Sequence, residues 1–243
     1  VEVRLGPFLR SAAQALLARQ VPRDRTLQAT LDGLWGSTLL VCAAVGLVGA
    51  ALCYQAGWQA RRVLGDQGFI GPEYLKLMVV EFGPLMVGTM LAARGGAGLA
   101  ARLATRKATL QLETLLLVGD DPVRVLALPE VLAAVVTATV LAPLALLAGE
   151  AAGVLTMYLA FSVEPATFLA WETLRVADLW FSLTKTALFG LVVSLAACRA
   201  GLRATPDAAG VGQAATRGVV DGSLAVLLLD AVLDAAWLAV GLG

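Results

Sequence analysis

From residue 33 to residue 60 the chain carries no charged side chain, and four further apolar runs follow, separated by short polar stretches. A bilayer core about 30 Å thick takes roughly 20 apolar residues as a helix, and backbone polar groups in lipid must be satisfied within helices or closed barrels. The pattern predicts an all-α integral membrane protein with about five transmembrane helices, near residues 33–60, 69–93, 131–160, 179–198 and 218–238. The third is expected to be broken by Pro143 and Glu150. Residues 1–32 form an N-terminal helical segment ahead of a transmembrane bundle over 33–243, and the whole reads as one domain. In that segment Leu5, Phe8, Leu9, Ala12, Ala13, Leu16 and Leu17 recur at helical spacing while Arg4, Arg10 and Arg19 take other positions. This suits an amphipathic interfacial helix, with an ordinary packed soluble helix as the alternative. The arginines also interrupt the apolar core that a cleavable signal needs.

A second amphipathic piece lies at 109–118, "TLQLETLLLV", with Leu112, Leu115 and Leu116 on one face and Gln111 and Glu113 elsewhere. Gly119 can stop such a helix, and Asp121-Pro122 can start the next. It reads as a short cytoplasmic docking helix held parallel to the membrane, or as a plain connecting loop. In the loop after the third span, Pro165 is expected in the first turn of a short helix, and Trp171 and Trp180 suit the membrane interface.

Loop arginines and lysines favour the cytoplasmic side. With the N-terminal segment cytoplasmic, thirteen of the 18 basic residues fall there, and Arg61, Arg62, Lys76, Arg175 and Lys185 remain on the other side. Composition agrees with a membrane protein: 59% of residues are hydrophobic and 15% charged, against about 25% charged in a soluble domain. Zero net charge offers nothing to nucleic acid. With no histidine, His-based acid/base catalysis and most zinc sites are excluded, and no metal site is expected. Cys42, Cys53 and Cys198 sit inside apolar runs and read as small buried residues. Any nucleotide chemistry must come from another chain.

An ionisable group inside a span costs several kcal/mol unless paired or wetted, which singles out Glu81, Lys185, Asp230 and Asp234. Gly83-Pro84, just after Glu81, can distort the helix and open space. Glu81 therefore lines or gates a path beside Leu77, Val80, Gly83, Pro84 and Leu85, or is a structural carboxylate bonded to a neighbouring helix. Lys185 could snorkel, or pair with Asp178 or with an acid on the fifth helix. Lys185 and Asp230 read mainly as structural polar groups, while Asp234 approaches the outer end. Gly96 with Ala100, like Gly46, Gly49 and Gly57, has the look of a packing surface.

The run "EFGPLMVGTMLAARGGAGLAARLATRKATLQLETLLLVGDDPVRVLALPEVLA" at 81–133 resembles the central signature of the MlaE/YrbE permease family, and "AAGVGQAATRGVVDGSLAVLLLD" at 208–230 resembles its C-terminal segment. The resemblance implies the membrane permease subunit of an ABC transporter that moves lipids, phospholipids in the first instance, between the bacterial inner membrane and a periplasmic conduit. The partners it implies are a second copy of the chain, an ABC ATPase dimer that holds ATP and Mg, a hexameric MCE-domain protein and, in some members, a STAS-domain protein. This chain would hold no cofactor and perform no covalent chemistry. The coupling segment it implies contains Arg106, Lys107, Thr109, Gln111, Leu112, Glu113, Leu115, Asp121 and Pro122. Arg102 stands where many members have Glu, and Leu110 where Glu is usual, so an acidic contact to the ATPase is missing or comes from Glu113. Two rivals belong to other classes: a non-transporting scaffold for an MCE protein, and an intramembrane enzyme using acids such as Glu81 and Asp230, for which no metal or protease motif is present.

Overall fold

The computed structural model describes residues 23–63, 65, 69–169 and 171–239. Among them every regular element is helical. The order is α1 (Arg23–Val63), α2 (Ile70–Leu77), α3 (Gly83–Leu91), α4 (Ala97–Ala108), α5 (Gln111–Val118), α6 (Leu128–Phe161), α7 (Pro165–Phe168), α8 (Val176–Leu202) and α9 (Ala208–Ala239). Three π-helical turns, Met78–Phe82, Ala92–Gly96 and Val123–Ala127, precede α3, α4 and α6, and a 3₁₀ turn, Trp171–Thr173, precedes α8. Of the expected N-terminal segment, residues 1–32, the part up to residue 22 lies outside the described residues, as does the Trp171 side chain, while residues 23–32 are the start of α1 and run without a break into the first span.

Four stretches are long and apolar enough to cross a membrane: Asp24–Val63, Ile70–Ala108, Val123–Phe161 and Val176–Leu202. They carry the first four expected spans. The fifth is expected on α9, a continuous helix of 32 residues that is not among those four, its apolar run being punctuated by Arg217, Asp221, Asp230 and Asp234. The second span continues well past residue 93, to Ala108. The third is not broken: α6 passes through Pro143 and Glu150 without interruption. Pro143 is exposed on this helix, and one missing N–H is tolerated within a membrane-length helix whose flanking bonds hold it. α7 begins with Pro165 at its first turn, where the missing N–H has no intrahelical partner to lose.

Side chains divide as lipid demands. Trp35, Leu39, Leu47, Leu159, Trp180 and Leu228 are exposed large hydrophobics. Such residues are ordinary on a surface whose solvent is hydrocarbon.

The chain forms two compact units. One comprises Val1–Ser37, Gly88–Ala138 and Ala187–Gly243, and the other Thr38–Val87 and Thr139–Thr186. In the first, Leu99, Leu103, Ala127, Val131, Ala197, Cys198 and Ala214 form a buried apolar cluster. The expected small-residue surface is part of it: a Cβ on Gly218 would meet the Gly96 carbonyl at 2.8 Å and the Ala100 Cβ at 2.9 Å. Backbone-to-backbone approach of this kind lets α4 and α9 pack tightly without large side chains. At the start of α9, Asp207 accepts hydrogen bonds from the Thr205 hydroxyl and the Gly210 N–H, both at 2.7 Å. These bonds, the Thr205 hydroxyl first, hold its carboxyl below the usual range.

In the second unit Val41, Val45, Leu75, Met78, Leu141 and Met157 are buried. Tyr74 donates to the Gly149 carbonyl at 2.8 Å across the face of Gly49, where a Cβ would lie 2.5 Å from the Tyr74 hydroxyl. Cys53 and Cys198 are buried and free, and Cys42 is free and half-buried.

Candidate functional site

The distortion expected at Gly83-Pro84 is a π turn. Pro84 has no N–H to give to the carbonyl four residues back, that of Val80. The Gly83 N–H reaches instead to the Met78 carbonyl, five residues back. Only glycine fits at 83, since a Cβ there would stand 2.5 Å from that same oxygen. The Val80 carbonyl, released from the ladder by Pro84, is available to a partner from outside the helix.

That partner is Lys185. Its ammonium donates to Glu81 Oε2 at 3.0 Å and to the Val80 carbonyl at 3.5 Å, and it lies 5.6 Å from the centre of the Phe181 ring. The Lys185 side chain has no exposure, whereas that of Glu81 keeps 36%. Lys185 is thus paired with Glu81, a partner the sequence did not suggest, and not with Asp178. Asp178 is buried and accepts the Arg175 N–H at 3.0 Å, with the Arg175 guanidinium 3.6 Å from its other oxygen. The local pair forms because Asp178 sits in the first turn of α8, next to free N–H groups. Glu81 thus keeps an exposed side, and Lys185 holds its carboxylate from the buried side.

Around this pair, Leu77 is exposed, Val80 and Leu85 are half-buried, and Gly83 and Pro84 are buried. Asp230 is buried in α9 and Asp234 half-buried one turn on. Glu150, read from the sequence only as a break in the third span, is instead a buried side chain in an intact helix. Neither carboxylate oxygen has a partner among the described residues. The signal that could have found it is the one that found Glu81, a lone acid within an apolar run.

The segment at 109–118 is helical from Gln111. Thr109 closes α4 by donating its hydroxyl to the Thr105 carbonyl at 3.0 Å, and Leu110 then takes a left-handed conformation, φ 59°, that turns the chain. Gly119, φ +90°, ends α5. Asp121 accepts the Val123 N–H at 2.9 Å, so the expected stop and restart both form. Leu112 packs against the buried cluster of its unit, and Leu115 is half-buried. Gln111 and Glu113 are exposed and Pro122 half-buried. The apolar face left open is Leu110, Leu116, Leu117 and Val118, with Leu117 at 89% exposure. Of the two basic residues before the turn, Lys107 works within the chain, donating to the Leu202 and Ala204 carbonyls at 2.9 and 2.8 Å and so capping the end of α8. Arg106 is half-buried.

The profile of the family described as Permease MlaE matches residues 26–236. A probable ABC transporter permease protein of Rickettsia typhi is 33% identical over 154 residues, 61% of this chain and 58% of the relative. A probable ABC transporter permease protein of a Synechocystis strain is 30% identical over 206 residues, 83% of this chain and 76% of the relative. One from Porphyra purpurea is 28% identical over 142 residues, or 54% of its length. The match thus spans little more than half the length of the Rickettsia relative. The family profile takes in the distorted second span, the turn at Leu110 and most of α9, and on that footing the chain belongs to the MlaE permease family.

Proposed function

We propose that the chain is the membrane subunit of an ABC transporter that carries lipid, phospholipid in the first instance, between the inner membrane and a periplasmic MCE-protein conduit. It works as a homodimer, with ATP and Mg bound on a separate ATPase. A STAS-domain protein on the ATPase would complete the assembly.

The observation that carries this reading is the exposed apolar end of α5. A helix of eight residues, fixed at one end by Leu110 and at the other by Gly119, presents Leu116, Leu117 and Val118 outward while Leu112 ties it to the core of its own unit. Apolar side chains on a short, rigid, polar-flanked helix suit a protein partner better than water. Closure of the ATPase would push this helix, and α4 would pass the displacement along the second span toward the π turn at Glu81. There the exposed carboxylate lines the lipid path, and Lys185 holds it in place.

The test is reconstitution of the chain with its ATPase in phospholipid vesicles. Wild-type protein is expected to support lipid-dependent ATP hydrolysis. Leu117→Asp is expected to reduce ATPase co-purification and hydrolysis by about tenfold or more, the loss of one buried interface anchor. Leu112 is not the residue for this test, because a charge there would damage the core. Hydrolysis and co-purification unchanged in Leu117→Asp would overturn the docking role, and a chain without effect on hydrolysis would favour a scaffold.

A further inference from the structure

The first unit holds a cavity of about 780 Å³ that the reading above does not use. Four arginines line it: Arg25 from α1, Arg94 from the π turn before α4, and Arg102 and Arg106 from α4. Arg94, Arg102 and Arg106 fall at intervals of four with Gly98 in the remaining place, so one helix face bears three guanidinium groups and a gap. Asp32 and Glu130 are the acids in the lining, which leaves an excess of two positive charges.

The pairing within the cavity is incomplete. Arg102 is matched by Glu130 at 2.7 Å, and Arg25 donates to the Val125 carbonyl at 3.3 Å. Arg94 rests against the backbone of Gly36, where a Cβ would lie 2.8 Å from its Nη2. Among the described residues no hydrogen bond or ion pair engages the guanidinium of Arg94 or of Arg106. Planar guanidinium forks match the oxygens of a phosphate two at a time. The volume lies within the range of small-ligand sites, about 300–1,000 Å³.

We infer that this cavity is a binding site for a phosphate-bearing anion, held by Arg94 and Arg106 with Arg25 and the Arg102–Glu130 pair at its border. The same chemistry could be delivered by the headgroup of an anionic phospholipid or by free phosphate. The site goes beyond the transport reading and does not depend on it, because binding is measured on the chain without ATPase or conduit.

The experiment titrates the full chain, in phosphate-free maltoside micelles, with dihexanoyl phosphatidylglycerol, with inorganic phosphate, and with dihexanoylglycerol as the phosphate-free control. The phosphorylated lipid is expected to bind, and the double variant Arg94→Gln/Arg106→Gln to weaken it by about tenfold or more, as for lost charge-assisted bonds. Arg94→Lys/Arg106→Lys retains charge and is expected within about threefold of wild type, and Arg199→Gln, outside the cavity, is expected to be neutral. The lysine variant also separates loss of charge from loss of fold. Binding of phosphatidylglycerol alone identifies a lipid headgroup as the source, and binding of inorganic phosphate alone a free anion. Binding of both, with the same arginine dependence, identifies the phosphate group itself as what is read. Binding that ignores Arg94 and Arg106, equal binding of dihexanoylglycerol, or no binding of either phosphate probe overturns the proposal.

Discussion

At the scale of single residues, Lys185 defines what the second span can tolerate. Its ammonium is fully buried and donates to the Glu81 carboxylate at 3.0 Å. Removing one partner of a buried pair costs the other charge its closest compensation. Glu81→Gln is expected to lower stability by on the order of 3 kcal/mol, the lower end for a buried pair because Glu81 retains some exposure. Lys185→Met combined with Glu81→Gln is expected to recover part of that loss, and thermal unfolding of the three proteins in one detergent is the check. If the single variant melts with wild type, Lys185 is satisfied by its other contacts. The acid, the glycine and the proline of this site were all legible in the sequence, since a charge in an apolar run and a Gly-Pro pair are local signals. The partnership was not. It joins residues 104 apart, and no periodicity encodes which distant side chain will meet the carbonyl that Pro84 releases.

At the scale of the element, α5 shows how boundaries can be plain while faces are not. Gly119 and Asp121-Pro122 marked the ends, because glycine accepts a left-handed backbone and an aspartate can hold the next N–H. The face was decided by something periodicity does not contain, the position of the buried cluster that draws in Leu112 and leaves Leu117 outside. Lys107 and Arg106 were likewise legible as a basic pair but not in their separate uses. The turn before the helix carries a cost: Leu110 is a branched, non-glycine residue at φ 59°. Left-handed backbone costs such a residue roughly 1 kcal/mol or more. Leu110→Gly is expected to relieve this and, at an exposed position with little packing to lose, to raise stability by up to about 1 kcal/mol, read as a higher denaturation midpoint. A lower midpoint would mean that the Leu110 side chain contributes more than its backbone costs.

Across the whole molecule, charge is partitioned with the fold. Among the described residues, every basic residue assigned to the cytoplasmic side from the sequence falls within the segments of the first unit, and Arg61, Arg62, Lys76, Arg175 and Lys185 all fall within those of the second. The first four spans were legible because length and hydropathy suffice for them, whereas α9 mixes acids and an arginine into its apolar run and announces itself through small residues instead. Those small residues carry a prediction. Gly218→Leu would force α9 away from Gly96 and Ala100 and is expected to cost about 1–3 kcal/mol, as overpacking does. Loss of folded protein by size-exclusion in detergent, against a neutral Gly212→Ala with open space around it, is the check. The Glu81–Lys185 pair has a last consequence, for biogenesis. A lysine at the centre of a helix raises the cost of leaving the translocon by about 3 kcal/mol, so the span around Lys185 is a poor candidate for insertion on its own. Its counter-charge is encoded 104 residues earlier, in a span already synthesised when the lysine emerges from the ribosome. The order of synthesis thus supplies the acid before the base, and the earlier helix can receive the later one as it enters the bilayer.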